Sequence, residues 1–157
     1  MKYIFIFILS FTCTNLHAQA ETAEERPYVN KNFVIIISTK SYTAAKTVAV
    51  EAASKLKLKL NLRGLKPNKG IGLTQTTKEC EGNGWDYPCY VSRGRYDDGE
   101  FVTIDYSDAF KGFAKGYYIV TSASGDAASI KKALIKVKQL YKTAYAKQTE
   151  VYIGCLH

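Results

Sequence analysis

Two stretches of this chain say the same thing in different residues. FVIIISTKSYTAAKTVA, starting at Phe33, and YYIVTSASGDAASIKKA, starting at Tyr117, each read as an apolar run, a Ser/Thr-rich turn and a capped alanine-rich helix. Phe33 to Ser38 is a continuous β-branched run, as in a central strand covered on at least one face. Ser41 then caps a helix, in which Ala45, Val48, Ala49, Ala52 and Leu56 recur at three- and four-residue spacing and form one apolar stripe. Lys57 to Leu62 alternates, with Leu58, Leu60 and Leu62 on one face, which predicts a half-buried strand ended by Arg63-Gly64. In the second half Tyr117 to Ala123 is a strand and Asp126 a cap. The stripe that follows is Ile130, Leu134, Val137, Leu140 and Tyr141, with Lys131, Lys132, Lys136, Lys138 and Lys142 on the outer side. Thr149 to Ile153 supplies a last strand. Two βαβ halves predict an α+β, ferredoxin-like two-layer sandwich. Its helices lie on one face of a mainly antiparallel sheet, and its first and third strands are central.

The ends of the chain bear on compartment. Lys2, the apolar run Tyr3 to Phe11 and Ala18-Gln19-Ala20 have the form of a cleaved secretion signal over residues 1–20. Reading Cys13 as an acylated lipoprotein cysteine is disfavoured, because the residues before it, Ser10-Phe11-Thr12, do not end in the usual small residue. The expected location is therefore periplasmic or secreted, with 21–32 a linker and 33–157 one domain. No apolar run after the signal approaches membrane length. Without Lys2, 21 of the 22 basic residues remain against 14 acidic ones, a net charge of +7. For an exported protein that excess points to anionic wall polymers, membrane surfaces or acidic proteins as counterparts, and away from nucleic acid.

Between the halves lies an insert, residues 65–116, which holds the only tryptophan and most of the chemistry. Asp97-Asp98-Gly99 separates Tyr90 to Tyr96 from Glu100 to Tyr106, the pattern of a tight hairpin. In its second arm Val102, Ile104 and Tyr106 share one face, and Phe101, Thr103 and Asp105 the other. Three cysteines follow the signal, Cys80, Cys89 and Cys155, and allow three pairings. Cys80 with Cys89, closing a loop over GNGWDYP, is the favoured one. Aromatic rings stack on sugar faces and guanidiniums pair with carboxylates. That chemistry makes Trp85, Tyr87, Tyr90, Arg93, Arg95 and Tyr96 the candidate ligand-binding residues. In a strand Arg93 and Arg95, two apart, would project together. The competing reading makes the aromatics core filler and pairs the arginines with Asp97, Asp98 or Asp105.

FVIIISTKSYTAAKTVAVEAASKL with KLNLRG, and YYIVTSASGDAASIKKALIKVKQL, resemble the two halves of the SPOR domain, an exported βαββαβ module. The likeness covers about half of the chain after the signal, and the insert has no counterpart in it. It implies a peptidoglycan glycan as ligand, bound across the exposed sheet face, and carries over no individual residue. His157 is the only histidine outside the signal, and the chain lacks the G-x-S-x-G, H-E-x-x-H and phosphate-loop motifs. No enzymatic activity, cofactor or metal is therefore expected, although Cys80, Cys89, Cys155 and His157 form a conceivable zinc set. The expected function is an exported, non-catalytic module that binds cell-wall glycan. The alternative is a secreted inhibitor or immunity-type protein that blocks a partner enzyme with a protruding insert, residues 80–106; the partner expected is then a periplasmic protein in place of the glycan. Thiol counting on the denatured, unreduced protein tests the cysteine reading: one free thiol per processed chain, on Cys155, is the expected result, and zero or three would contradict the pairing.

Overall fold

The computed structural model describes residues 27–154. The stretch read as a secretion signal, Cys155 and His157 lie outside the described residues. The main sheet has four antiparallel strands in the order β4-β5-β1-β6. These are β1 (Tyr28–Thr39), β4 (Gly99–Tyr106), β5 (Tyr118–Gly125) and β6 (Tyr145–Tyr152). The two most apolar runs, β1 and β5, are neighbours in the centre, as expected. On one face α1 (Tyr42–Leu56) packs over β4, β5 and β1, and α3 (Ala127–Leu140) over β1, β5 and β6. The protein is a two-layer α+β sandwich.

Both helices begin where the sequence places them. Ser41 Oγ accepts the Ala44 N–H at 3.2 Å, and the Asp126 carboxylate accepts from Ala128 and Ser129 at 2.8 and 2.9 Å. Each cap satisfies amides that the first helical turn leaves unpaired. Ala45, Ala49 and Ala52 of α1 and Ile130, Ala133 and Val137 of α3 are buried against Val34, Ile36, Ile104 and Val120 of the sheet. Alanine on α1 lets that helix sit close. Leu140, read as part of the α3 stripe, is exposed.

Three expectations need correction. Lys57–Leu62 is not a strand: Lys57 closes α1 in a left-handed conformation, and only Leu60 makes a bridge, parallel to Val102. Its leucines still pack on the core, and two backbone hydrogen bonds, Asn61 N–H to Val102 O and Val102 N–H to Lys59 O, tie it to the β4 edge. The place expected for this segment in the sheet is taken by β4, which lies inside the stretch read as insert. Secondly, the linker assigned to 21–32 is part of β1 from Tyr28 onward, because Tyr28 to Lys31 pair with Tyr152 to Thr149. Residues 21–26 lie outside the described residues.

The third correction concerns the hairpin. Tyr90 to Tyr96 forms no strand; Gly94 takes φ +88°, its N–H donates to Asp97 Oδ1 at 2.7 Å, and the chain turns there. That turn sends Arg93 into the sheet and leaves Arg95 outside it. Arg93 is 0 % exposed and fixed by four hydrogen bonds: Nε to Ser124 Oγ, one Nη to both Phe101 O and Thr121 Oγ1, the other to Gly99 O. Its guanidinium also lies 3.7 Å from the centre of the Phe101 ring. Burial pulls its pKa down to about 10 while Asp105 and Asp97 pull it back up, so it remains a cation at neutral pH. Thr121 passes the network on to Asp105 Oδ2 at 2.9 Å, and Asp105, 1 % exposed, is paired on its other oxygen with Arg63. The strand register helps. It runs Val34↔Ala123 and then Ile35↔Thr121, leaving Ser122 as an extra residue, so Thr121 and Ser124 both reach one side.

The turn around Gly94 and the segment carrying Phe110 therefore lie over the sheet face opposite the helices, while Leu65 and Leu73 of the insert join the helix-side core. Beside the polar network, Phe33, Ile35, Ile119 and Val151 of that face pack against Phe110, with Phe113 and Ile153 at the margin. A short ribbon, β2 (Lys66–Asn68) with β3 (Gly72–Thr74), crosses near Tyr106; a Cβ on Gly72 would come within 2.1 Å of that ring. Removing one side of a buried charge network leaves its partner desolvated and unpaired. Arg93→Met is accordingly expected to lower stability by about 3–5 kcal/mol, read as a shift in urea midpoint. Arg95→Met should change it by under ~1 kcal/mol. Equal effects would contradict the separate roles.

Candidate functional site

The same turn that buries Arg93 builds a cleft on the insert side. Its volume is about 250 Å³. One wall comes from the loop that follows α2 (Thr77–Gly82): Trp85, Tyr90, Val91 and Ser92. Phe110 lines the cleft between the walls, and Tyr28 and Tyr152, edge to face at 5.2 Å, form the other side from the paired ends of β1 and β6. Arg95, Lys111 and Lys115 supply positive charge, Asp108 and Glu150 negative.

A disulfide between Cys80 and Cys89, with Cα atoms 5.8 Å apart, fixes the first wall. α2 starts with a reciprocal cap, in which Thr76 Oγ1 accepts from Glu79 N–H and the Glu79 carboxylate accepts from Thr76 N–H. Its last turn hands over directly, since Trp85 N–H donates to Cys80 O at 2.9 Å. With Cys80 and Cys89 bonded to each other, the conceivable zinc set loses two of its ligands. Closing a loop this short by a disulfide contributes about 2–3 kcal/mol in the chain-entropy account. Here it also sets where the indole stands.

Arg95 is the centre of the site. Its guanidinium lies 5.6 Å from the Trp85 ring, 5.1 Å from Tyr96 and 5.2 Å from Tyr152. One Nη donates to Gly154 O, while the buried Nε has no hydrogen-bond partner among the described residues. Aromatic faces favour a cation at these distances and exclude water from it. An N–H held there without an acceptor costs free energy, which an incoming carboxylate or phosphate oxygen would recover. Lys111 pairs with Glu150 at 2.8 Å and lies 4.1 Å from the centre of the Tyr28 ring. That hydrogen bond to Glu150 is the main cause holding its pKa above the usual lysine value. Lys115 donates to the carbonyls of Asp108 and Phe110, and Asp108 Oδ1 accepts the Gly116 N–H at 2.8 Å. Burial, and then the negative charge of Asp108, push the Tyr90 phenol upward, so it stays protonated and donates to Ile71 O at 2.7 Å.

Of the six candidate ligand-binding residues, Trp85, Tyr90 and Arg95 line this cleft. Tyr96 does not line it; it is 76 % exposed and stacks beside Arg95, its hydroxyl donating to Ile153 O at 3.3 Å. Tyr87 points elsewhere, its hydroxyl accepting from Asn68 Nδ2 at 3.1 Å. Arg93 is inside the protein and out of reach of a ligand in this fold. Tyr28, Tyr152 and Glu150 are site residues that local sequence reasoning missed, because only the β1–β6 pairing brings them there. The chain matches no known family model, no curated protein and no solved structure. Trp85 is the sole tryptophan, so its fluorescence reports on the wall. Reducing the disulfide, or making Cys80→Ser with Cys89→Ser, should red-shift the emission and raise iodide quenching. An unchanged spectrum would mean the wall stands without the bond.

Proposed function

We propose that this protein is an exported, non-catalytic binding module whose cleft takes an anionic saccharide, most simply a cell-wall glycan bearing lactyl or peptide carboxylates. The observation that carries the reading is the Arg95 cluster: a guanidinium surrounded by three aromatic rings, with a buried N–H still lacking an acceptor. Stacking surfaces and a recessed cation side by side suit a sugar ring with a pendant carboxylate. The two carboxylates of the cleft already have partners, Glu150 in Lys111 and Asp108 in Gly116 N–H, which favours holding a ligand over cleaving one. Export accords with the signal-like first 20 residues and the Cys80–Cys89 bond.

The ligand class is the one implied by the SPOR resemblance, but the seat differs. The sheet face on which such modules take glycan is occupied here by Arg93, Phe110 and the turn around Gly94. The inhibitor reading would engage a partner enzyme through residues 80–106; the recessed Arg95 cluster favours a small anionic ligand over that reading. In a pull-down with purified sacculi at low salt, the processed protein should be retained. Trp85→Ala and Arg95→Ala should each weaken retention about tenfold with little change in melting temperature. No retention, or retention indifferent to both substitutions, would overturn the proposal.

A further inference from the structure

The helical layer presents a second surface, on the far side of the sheet from the cleft. α3 satisfies the core with Ile130, Ala133 and Val137, all buried. Its outward side carries Ile135, 60 % exposed, in a position the core does not use. Residues three and four apart share a helix face. Lys131 and Lys132 therefore stand one turn before Ile135, and Lys138 one turn after it, with Lys142 just beyond the helix end. Residues 127–140 include no acidic side chain, and none of these four lysines has an ion pair among the described residues. Lys136, at the margin of this face, is the one that pairs, with Glu100 at 3.3 Å.

We propose that this face of α3 docks the protein on the surface of an anionic lipid bilayer. The lysines supply attraction to lipid headgroups, and their long stems let the ammonium groups stay at headgroup level while Ile135 enters the acyl boundary. The isoleucine decides the class of partner. A hydrated polyanion such as a wall polymer gains from the lysines and nothing from an apolar tip, whereas a bilayer gains from both. Docked this way, the protein holds its cleft on the side away from the lipid. The inference stands independently of what the cleft binds.

Co-sedimentation with vesicles of phosphatidylglycerol and phosphatidylcholine in equal parts, against phosphatidylcholine alone, tests it on the processed protein. Binding is expected only to the anionic vesicles. The triple variant Lys131→Gln, Lys132→Gln, Lys138→Gln should bind on the order of a hundredfold more weakly, about fivefold per lysine. Ile135→Ser should weaken vesicle binding severalfold and leave retention on heparin resin unaltered, while Trp85→Ala should leave vesicle binding unaltered. Circular dichroism of each variant shows that α3 persists. No binding to the anionic vesicles overturns the proposal. So does vesicle binding that Ile135→Ser leaves intact, since the lysines would then be a general cation-exchange surface.

Discussion

A guanidinium can be sealed under a β-sheet only if nearly every N–H finds an acceptor, and the rest of this architecture follows from how Arg93 meets that condition. Its hydrogen bonds reach Gly99 and Phe101 of β4 and Thr121 and Ser124 of β5. The arginine thus fastens the turn before β4 to two strands at once. Asp105, and through it Arg63, completes the charge balance. Taking such charges out of water is costly, and the arrangement is tolerable because most of the desolvated groups of Arg93 and Asp105 are met by hydrogen bonds or an ion pair, Arg63 Nε being left without a partner among the described residues. What it brings is definition: a stretch with little regular structure is held in one place.

That anchoring explains why the sheet has two dissimilar faces. Toward the helices it is mainly hydrocarbon, Val34, Ile36, Ile104 and Val120 meeting the alanines of α1 and Ile130, Ala133 and Val137 of α3. Toward the insert it is half hydrocarbon, around Phe33 and Phe110, and half polar, around Arg93 and Asp105. Arg95, two residues on but beyond the Gly94 turn, is released from the interior and becomes a cation of the candidate site. Two arginines close in sequence thus have opposite duties, because one glycine sits between them.

The scaffold was legible where local and global preferences agree. The apolar runs of β1 and β5, the caps at Ser41 and Asp126 and the alanine stripe of α1 each have a period that only one structure satisfies. Legibility failed where a distant side chain decided the outcome. Tyr90 to Tyr96 has the composition of a strand, and alternation alone cannot register that Arg93 finds better partners inside the sheet than alongside a neighbour. Leu58, Leu60 and Leu62 alternate for a real reason, burial against the core, yet this segment gains only a single bridge, because β4 from the insert occupies the adjoining place. In the site, Trp85, Tyr90 and Arg95 could be picked out from their chemistry. Tyr28 and Tyr152 could not, since nothing within the neighbourhood of either residue announces the other.

The Tyr28–Tyr152 contact has a consequence for when the cleft comes into being. These residues sit near opposite extremities of the described chain, so that wall exists only after β1 and β6 have zipped together across nearly the whole domain. A nascent or end-trimmed polypeptide can own the disulfide loop and the arginine and still possess no receptacle. The binding competence proposed for the cleft would in this sense be a certificate of completed folding, issued only when both ends of the domain have met.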